Sequence, residues 1–76
     1  MTLDKHKLDG IPQITSKILP VNEFETLLVS AGYQRASSAP AKGNRIKVWW
    51  NHSNYRRIEA IYSPDCKIAI TAYHVG

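Results

Sequence analysis

The sequence has little of what builds redox, metal or membrane sites. Cys66 is its single cysteine among 76 residues, so no disulfide can form within the chain and too few thiols exist for a zinc cluster. The spacing of His6, His52 and His74 fits no zinc motif. No apolar run approaches the roughly 18 residues of a membrane-spanning helix, and the opening segment TLDKHKLDG lacks the apolar stretch of a signal peptide. We therefore expect no metal, no cofactor, no membrane association and a cytoplasmic location.

Acidic residues are also scarce. Six Asp and Glu stand against ten Lys and Arg, which gives a net charge of +4. This balance favours anionic partners such as nucleic acid or an acidic protein surface.

The sequence shows no internal repeat and no phosphate-binding glycine loop around Gly32 or Gly43. The length allows one domain.

The first part of the chain predicts an arm, a short strand and a helix. Residues 1–13 mix charges with glycine and proline and are expected to form a loose N-terminal arm, in which the Lys5–Lys7 segment is either solvated or touches an anion. The single α+β domain is expected over residues 14–76. Its first element is an edge strand at 13–19, where apolar and polar residues alternate.

The spacing of Phe24, Leu27, Leu28 and Ala31 predicts one apolar helix stripe. Asn22 is the expected N-cap. Gly32 is the expected left-handed residue that ends the helix. The helix is therefore predicted over 23–31. The following segment, 33–44, has no period. Residues 33–35 can begin a strand, and the remainder is predicted to be a flexible loop that Arg35 and Lys42 make basic.

The segment from Arg45 to His74 predicts three antiparallel strands joined by two tight turns. In the second turn Pro64 and Asp65 suit the central positions, so Cys66 is expected in the left-handed conformation, as a turn residue or as a reactive thiol. This turn pairs Ala60 with Ile70, and it sets Ile58 against Ala72.

In the first turn the loop 52–54 places Asn54 in the left-handed conformation. This loop pairs Val48 with Ile58, and it sets Trp49 against Arg57, where a cation–π contact can form.

These registers divide the sheet into two faces. The apolar face, which the helix is expected to cover, consists of Ile46, Val48, Trp50, Ile58, Ala60, Tyr62, Ile68, Ile70 and Ala72. The opposite face is basic and aromatic and consists of Arg45, Lys47, Trp49, Tyr55, Arg57, Lys67 and Tyr73, with Glu59 as its one acid. Aromatic rings beside cations on an open sheet suit single-stranded nucleic acid, because bases stack and phosphates pair with the cations. A protein partner, a second copy or the arm could cover the same face instead.

The same registers place His52, Arg56 and His74 at one end of the sheet. Metal-free RNA cleavage needs a base, an acid and a cation near the phosphate, and two histidines and an arginine can supply these roles. The alternative is that His52 is a polar turn residue and His74 belongs to a frayed terminus.

The helix end LLVSAGY and the meander RRIEAIYSPDCKIAITAYH resemble small RNA-interfering toxins of the RelE and HicA types. The resemblance covers the C-terminal half. It implies that Arg56, Arg57, Tyr73 and His74 occupy places comparable to functional residues of the RelE type. The Gly-Ser-His signature of the HicA type is absent, and His52 lies in Asn-His-Ser instead.

The sequence thus predicts an α+β fold, with one helix packed on a three-stranded antiparallel sheet that residues 13–19 can extend to four strands. The favoured function is binding of RNA or single-stranded nucleic acid, with toxin-like ribonuclease activity as an extension. The alternative is a non-catalytic regulator or inhibitor that binds a protein through the basic, aromatic face. A homodimer is compatible with either function.

Overall fold

The computed structural model describes residues 2–76 and contains one α-helix and one antiparallel sheet. The elements in chain order are β1 (Leu19–Pro20), α1 (Val21–Ser30), β2 (Gln34–Pro40), β3 (Ile46–Asn51), β4 (Arg57–Tyr62) and β5 (Ile68–Val75), with short 3-10 turns at Leu3–Lys5 and Lys42–Asn44. The strands lie in the order β1-β5-β4-β3-β2. The predicted α+β class is confirmed, but the predicted three or four strands are too few. Across residues 2–76 we find no helix that is both long and apolar enough to cross a membrane.

Helix α1 buries Phe24 and Leu28 against the sheet, as its apolar stripe predicts. Its end is also as predicted, because Gly32 has a φ of 97°. The amide of Gly32 bonds to Val29 O at 3.0 Å and that of Tyr33 to Leu28 O at 3.0 Å, which is the Schellman pattern. The predicted start is wrong. Pro20 occupies the N-cap position, and Asn22 lies within the helix without a cap bond.

Strand β2 begins where the sequence allows a strand to start, but it continues through residues 36–40, which are predicted to be a loop. Its side chains are almost all exposed and do not alternate in polarity, so no pattern in this segment indicates a strand. The strand exists because its backbone pairs with β3, with one irregularity between Arg35 and Ser37. Strand β1 is also misplaced in the prediction. It pairs only Leu19 and Pro20 with β5 rather than using residues 13–19.

The β3–β4 register is shifted by two residues from the predicted one. Trp50 lies opposite Ile58 and Val48 lies opposite Ala60, so the loop between the strands spans residues 52–56. Asn54 is not in the left-handed conformation, because the only non-glycine residues with positive φ among those described are Asn44 and Cys66. A shift of two keeps every side chain on its predicted face.

The β4–β5 turn has Cys66 in the left-handed conformation at a φ of 60°, as predicted. The predicted register is nevertheless wrong, because Ala60 lies opposite Ala72 and Tyr62 lies opposite Ala69. Ile70 is the extra residue of a bulge between these pairs. The bulge reverses the alternation, so Ala69 enters the core and Ile70 is half-buried.

The N-terminal arm is not loose, in contrast to the expectation. Leu3, Leu8 and Ile11 are at most 5% exposed and belong to the same core as the helix and sheet. The amide of Leu3 bonds to Lys17 O at 2.8 Å. One ten-residue helix leaves part of a five-stranded sheet uncovered, and the apolar residues of the arm fill that space.

Candidate functional site

The candidate site lies at the end of the sheet where β3 finishes, β4 begins and β5 finishes. His52 and Arg56 lie in the loop between β3 and β4, and His74 lies near the end of β5. The structure therefore places the three predicted catalytic residues at the same end of the sheet. Their hydrogen bonds decide what each of them can do.

His74 uses both ring nitrogens to hold backbone groups. The amide of Asp9 donates to His74 Nε2 at 2.9 Å. An amide can only donate, so Nε2 accepts, and the proton of the neutral ring lies on Nδ1, which faces Arg56 O at 3.0 Å. The His74 side chain is 7% exposed. His74 thus joins the arm to the loop and has no free nitrogen for proton transfer.

His52 has the same kind of role on the other side of the loop. The amide of Asn54 donates to its Nδ1 at 2.9 Å, so the proton lies on Nε2 and is donated to Ala31 O at 2.8 Å. Its ring packs against Tyr33 and Tyr55, with centroid distances of 4.7 Å and 4.5 Å. His52 therefore fastens the loop to the end of the helix.

The central row of the basic, aromatic face differs from the predicted one. Trp49 and Tyr73 flank Glu59 rather than Arg57. Trp49 Nε1 donates to Glu59 Oε1 at 3.0 Å, and the Tyr73 hydroxyl donates to Glu59 Oε2. The hydrogen bond to Glu59, aided by burial, raises the pKa of Tyr73 to about 12. A carboxylate at the centre makes this row a poor surface for phosphate.

The other predicted contact residues are scattered. Arg57 lies one row away and donates from Nε to Asn51 Oδ1 at 3.1 Å. Tyr55 packs in the cluster with His52 and keeps 39% of its surface exposed. Arg45, Lys47 and Lys67 lie toward the opposite end of the sheet, near the turns that start β3 and β5.

A cleft of about 670 Å³ opens between the arm and this end of the sheet. We call it the basic cleft. It is lined by Lys5, His6, Lys7, Arg56, Tyr73 and His74. The His6 and Tyr73 rings meet edge to face with their centroids 5.7 Å apart. Three of the lining side chains are permanent cations, and none is a carboxylate.

The arm supplies Lys5, His6 and Lys7 to this cleft. The charge of this segment alone does not distinguish a solvated tail from a binding surface. The apolar residues on either side of it, Leu3 and Leu8, are the local signal for its position, because both are buried and hold the basic segment against the sheet.

The described residues include no group of three or more His, Cys, Asp or Glu side chains arranged to hold a metal ion. No protein-family model, curated protein or solved structure matches this chain. The resemblance to RelE-type and HicA-type toxins therefore stays a prediction from the sequence.

Proposed function

We propose that the protein binds single-stranded nucleic acid, with RNA as the first candidate, in the basic cleft and does not cleave it. The observation that carries the proposal is the convergence of cations from two separate parts of the chain. Lys5 and Lys7 come from the arm, Arg56 comes from the loop before β4, and all three line one open space. Such a space attracts the phosphates of a flexible strand.

Two rings in the cleft supply the second part of the recognition. Tyr73 is held by its bond to Glu59 and meets His6 at its edge. A ring that is fixed before binding loses little entropy when a base stacks on it. Stacking tolerates any base, so we expect affinity with little sequence preference.

Catalysis is left out of the proposal because the two predicted histidines hold backbone groups. Cleavage by internal attack needs a base for the 2′-hydroxyl and an acid for the leaving oxygen. His6 is the one remaining histidine, and a single imidazole does not supply both groups at once.

The first test is fluorescence anisotropy with a labelled single-stranded RNA of about 12 nucleotides. Three neutralised phosphates predict a slope of about −2 for log K against log salt, since each contributes roughly 0.7 on a single strand. Affinity should then fall about 20-fold between about 50 and about 200 mM salt. Binding that ignores salt would contradict the proposal.

The second test compares three variants, each of which removes one positive charge. Lys7→Gln and Arg56→Gln should each weaken binding and flatten the salt slope by roughly 0.7. Lys67→Gln is the matched control, because it removes the same charge from the opposite end of the sheet, and it should leave the slope unchanged. Equal effects of all three variants would show that only net charge matters. Cleaved RNA on a gel after incubation would refute the non-catalytic part.

A further inference from the structure

Strand β2 forms an open edge of the sheet. It is the outermost strand, and within residues 2–76 it pairs with β3 alone. The opposite edge is partly covered, because β1 pairs with Ile68 and Ala69 at the start of β5, and the side chain of Thr71 farther along β5 bonds to Thr2 O of the arm at 3.3 Å. An open edge offers a row of backbone N–H and C=O groups to another extended chain.

The side chains of β2 do little to protect this edge. Folded proteins usually guard edge strands with charges, prolines or bulges. Here the bulge lies at Ala36 and a proline at Pro40, the last residue of the strand. Between them stand only Ser37, Ser38 and Ala39. Arg35 is the single charged residue of β2, and its Nη1 atom lies 3.6 Å from Oε2 of Glu25 on the helix.

The surroundings of this edge are basic at both ends. Arg35 stands near its start, Lys42 and Arg45 follow its end, and Lys47 lies opposite Ala39 on β3. The nearby acid, Glu25, is already bonded to Arg35 and to the Tyr62 hydroxyl at 2.8 Å. This charge distribution discriminates between the chains that could occupy the edge.

A second copy of the chain fits poorly. In an antiparallel pair of β2 strands, Arg35 of each copy would approach the end of the other strand, where Lys42 and Arg45 follow. Like charges set opposite one another destabilise strand pairing. An extended segment that carries Asp or Glu instead meets complementary charges in Lys42 and Arg45, where β2 ends.

We propose that the β2 edge binds an extended, acidic peptide segment of a protein partner by strand addition. The segment becomes a sixth strand next to β2. Backbone hydrogen bonds supply most of the affinity, and carboxylates of the segment pair with Lys42 and Arg45, which follow the end of β2. This surface is separate from the basic cleft, because β2 forms one edge of the sheet and the cleft lies between the arm and the end of β5, beyond β3 and β4.

The test is an NMR titration of the labelled protein with a capped peptide of about eight residues that alternates Glu and Val, a length that matches an ordinary strand. Amide signals of residues 34–40 should shift. The same peptide with Lys in place of Glu should bind at least about five-fold more weakly, since several charge pairs change sign. Equal binding of both peptides would overturn the role of charge.

Backbone methylation of the peptide tests strand addition itself. Along an added strand alternate N–H groups face β2 and the others face away. One peptide is methylated at its odd amides and a second at its even amides. One of the two should lose about ten-fold or more in affinity, because several hydrogen bonds disappear, while the other keeps its affinity. Equal loss in both peptides would refute strand addition.

Protein variants separate this inference from nucleic-acid binding. Lys42→Gln and Arg45→Gln should each weaken peptide binding about two- to five-fold, whereas Lys67→Gln and Lys7→Gln should not change it. The inference fails if the protein dimerises through residues 34–40 without peptide, as shown by sedimentation and by concentration-dependent amide shifts. It also fails if RNA rather than the peptide shifts these amides.

Discussion

The turn between β4 and β5 allows a quantitative prediction for Cys66→Gly. Cys66 has a φ of 60°, a conformation that costs an ordinary side chain free energy. The turn imposes this conformation through several bonds. The amide of Cys66 donates to Ser63 O at 2.8 Å, the amide of Lys67 donates to Asp65 Oδ1 at 3.1 Å, and the amide of Ile68 donates to Ser63 Oγ at 3.0 Å. The Cys66 side chain is exposed, so replacing it removes no core packing.

The expected gain is the difference between two effects. The left-handed conformation destabilises the folded state by about 1–2 kcal/mol for a residue with a side chain, and glycine avoids this strain. Glycine also makes the unfolded chain more flexible, and this larger unfolded-state entropy lowers the stability by about 0.5–1 kcal/mol. Cys66→Gly should therefore raise the free energy of unfolding by about 0.5–1 kcal/mol. Cys66→Ala keeps the Cβ atom and should give no gain.

The difference in the free energy of unfolding between Cys66→Gly and the wild type can be measured by urea unfolding, with tryptophan fluorescence as the signal. A stabilisation of this size should also raise Tm by several degrees in a domain of this length. Asn44→Gly is an internal comparison. Asn44 has a φ of 64°, but asparagine tolerates this region better, so its gain should be smaller. The reasoning would be refuted if Cys66→Gly were no more stable than Cys66→Ala.

Two further predictions concern the arm and the basic, aromatic face. Leu3→Ala should lower the free energy of unfolding, measured with urea, by about 2–4 kcal/mol, because Leu3 is 1% exposed. Lys5→Ala, in the same 3-10 turn, is the control and should change this free energy little. If Leu3→Ala had no effect, the arm would be loose. Tyr73 has a pKa of about 12 in the folded protein and near 10 when unfolded, so its contribution to stability is full below pH 10 and declines as the pH rises toward 12. The stability difference between wild type and Tyr73→Phe should therefore shrink from about pH 9 to about pH 11, and an unchanged difference would show that Tyr73 is not shifted.

Features set by neighbouring residues could be predicted from the sequence. The helix stripe around Phe24 and Leu28 can be predicted from the 3.6-residue period of the apolar positions alone. The end of the helix can be predicted from Gly32 alone, because the left-handed conformation at that position favours glycine. The left-handed Cys66 follows from the residues before it in the turn. Each of these depends on a few adjacent positions, and the rest of the fold is compatible with all three.

Strand registers depended on contacts that local patterns do not contain. The loop before β4 is two residues longer than predicted, and its His52 ring bonds to Ala31 O at the helix end, a contact between residues that are far apart in the sequence. The bulge at Ile70 exchanges which residues of β5 face the core. The faces of β3 and β4 were still predicted correctly, because a shift of two residues preserves the alternation.

The arm and β2 were missed for a related reason. Neither segment has a hydrophobic period, and each takes its structure from what it packs or pairs against. Leu3 and Ile11 are buried because the sheet is wider than one helix can cover. Residues 34–40 are extended because β3 offers an otherwise unpaired edge.

The histidines connect these observations with the candidate site. The sequence predicts catalytic roles for His52 and His74 because imidazole suits proton transfer, yet both rings form hydrogen bonds with backbone amides and carbonyls. His74 nevertheless shapes the site, since its bonds to the Asp9 amide and to Arg56 O hold the arm beside the loop. The cations of the arm then line the same cleft as the Arg56 side chain. The binding site proposed for nucleic acid is thus built by one of the residues that the sequence singled out, in a positioning role rather than a chemical one.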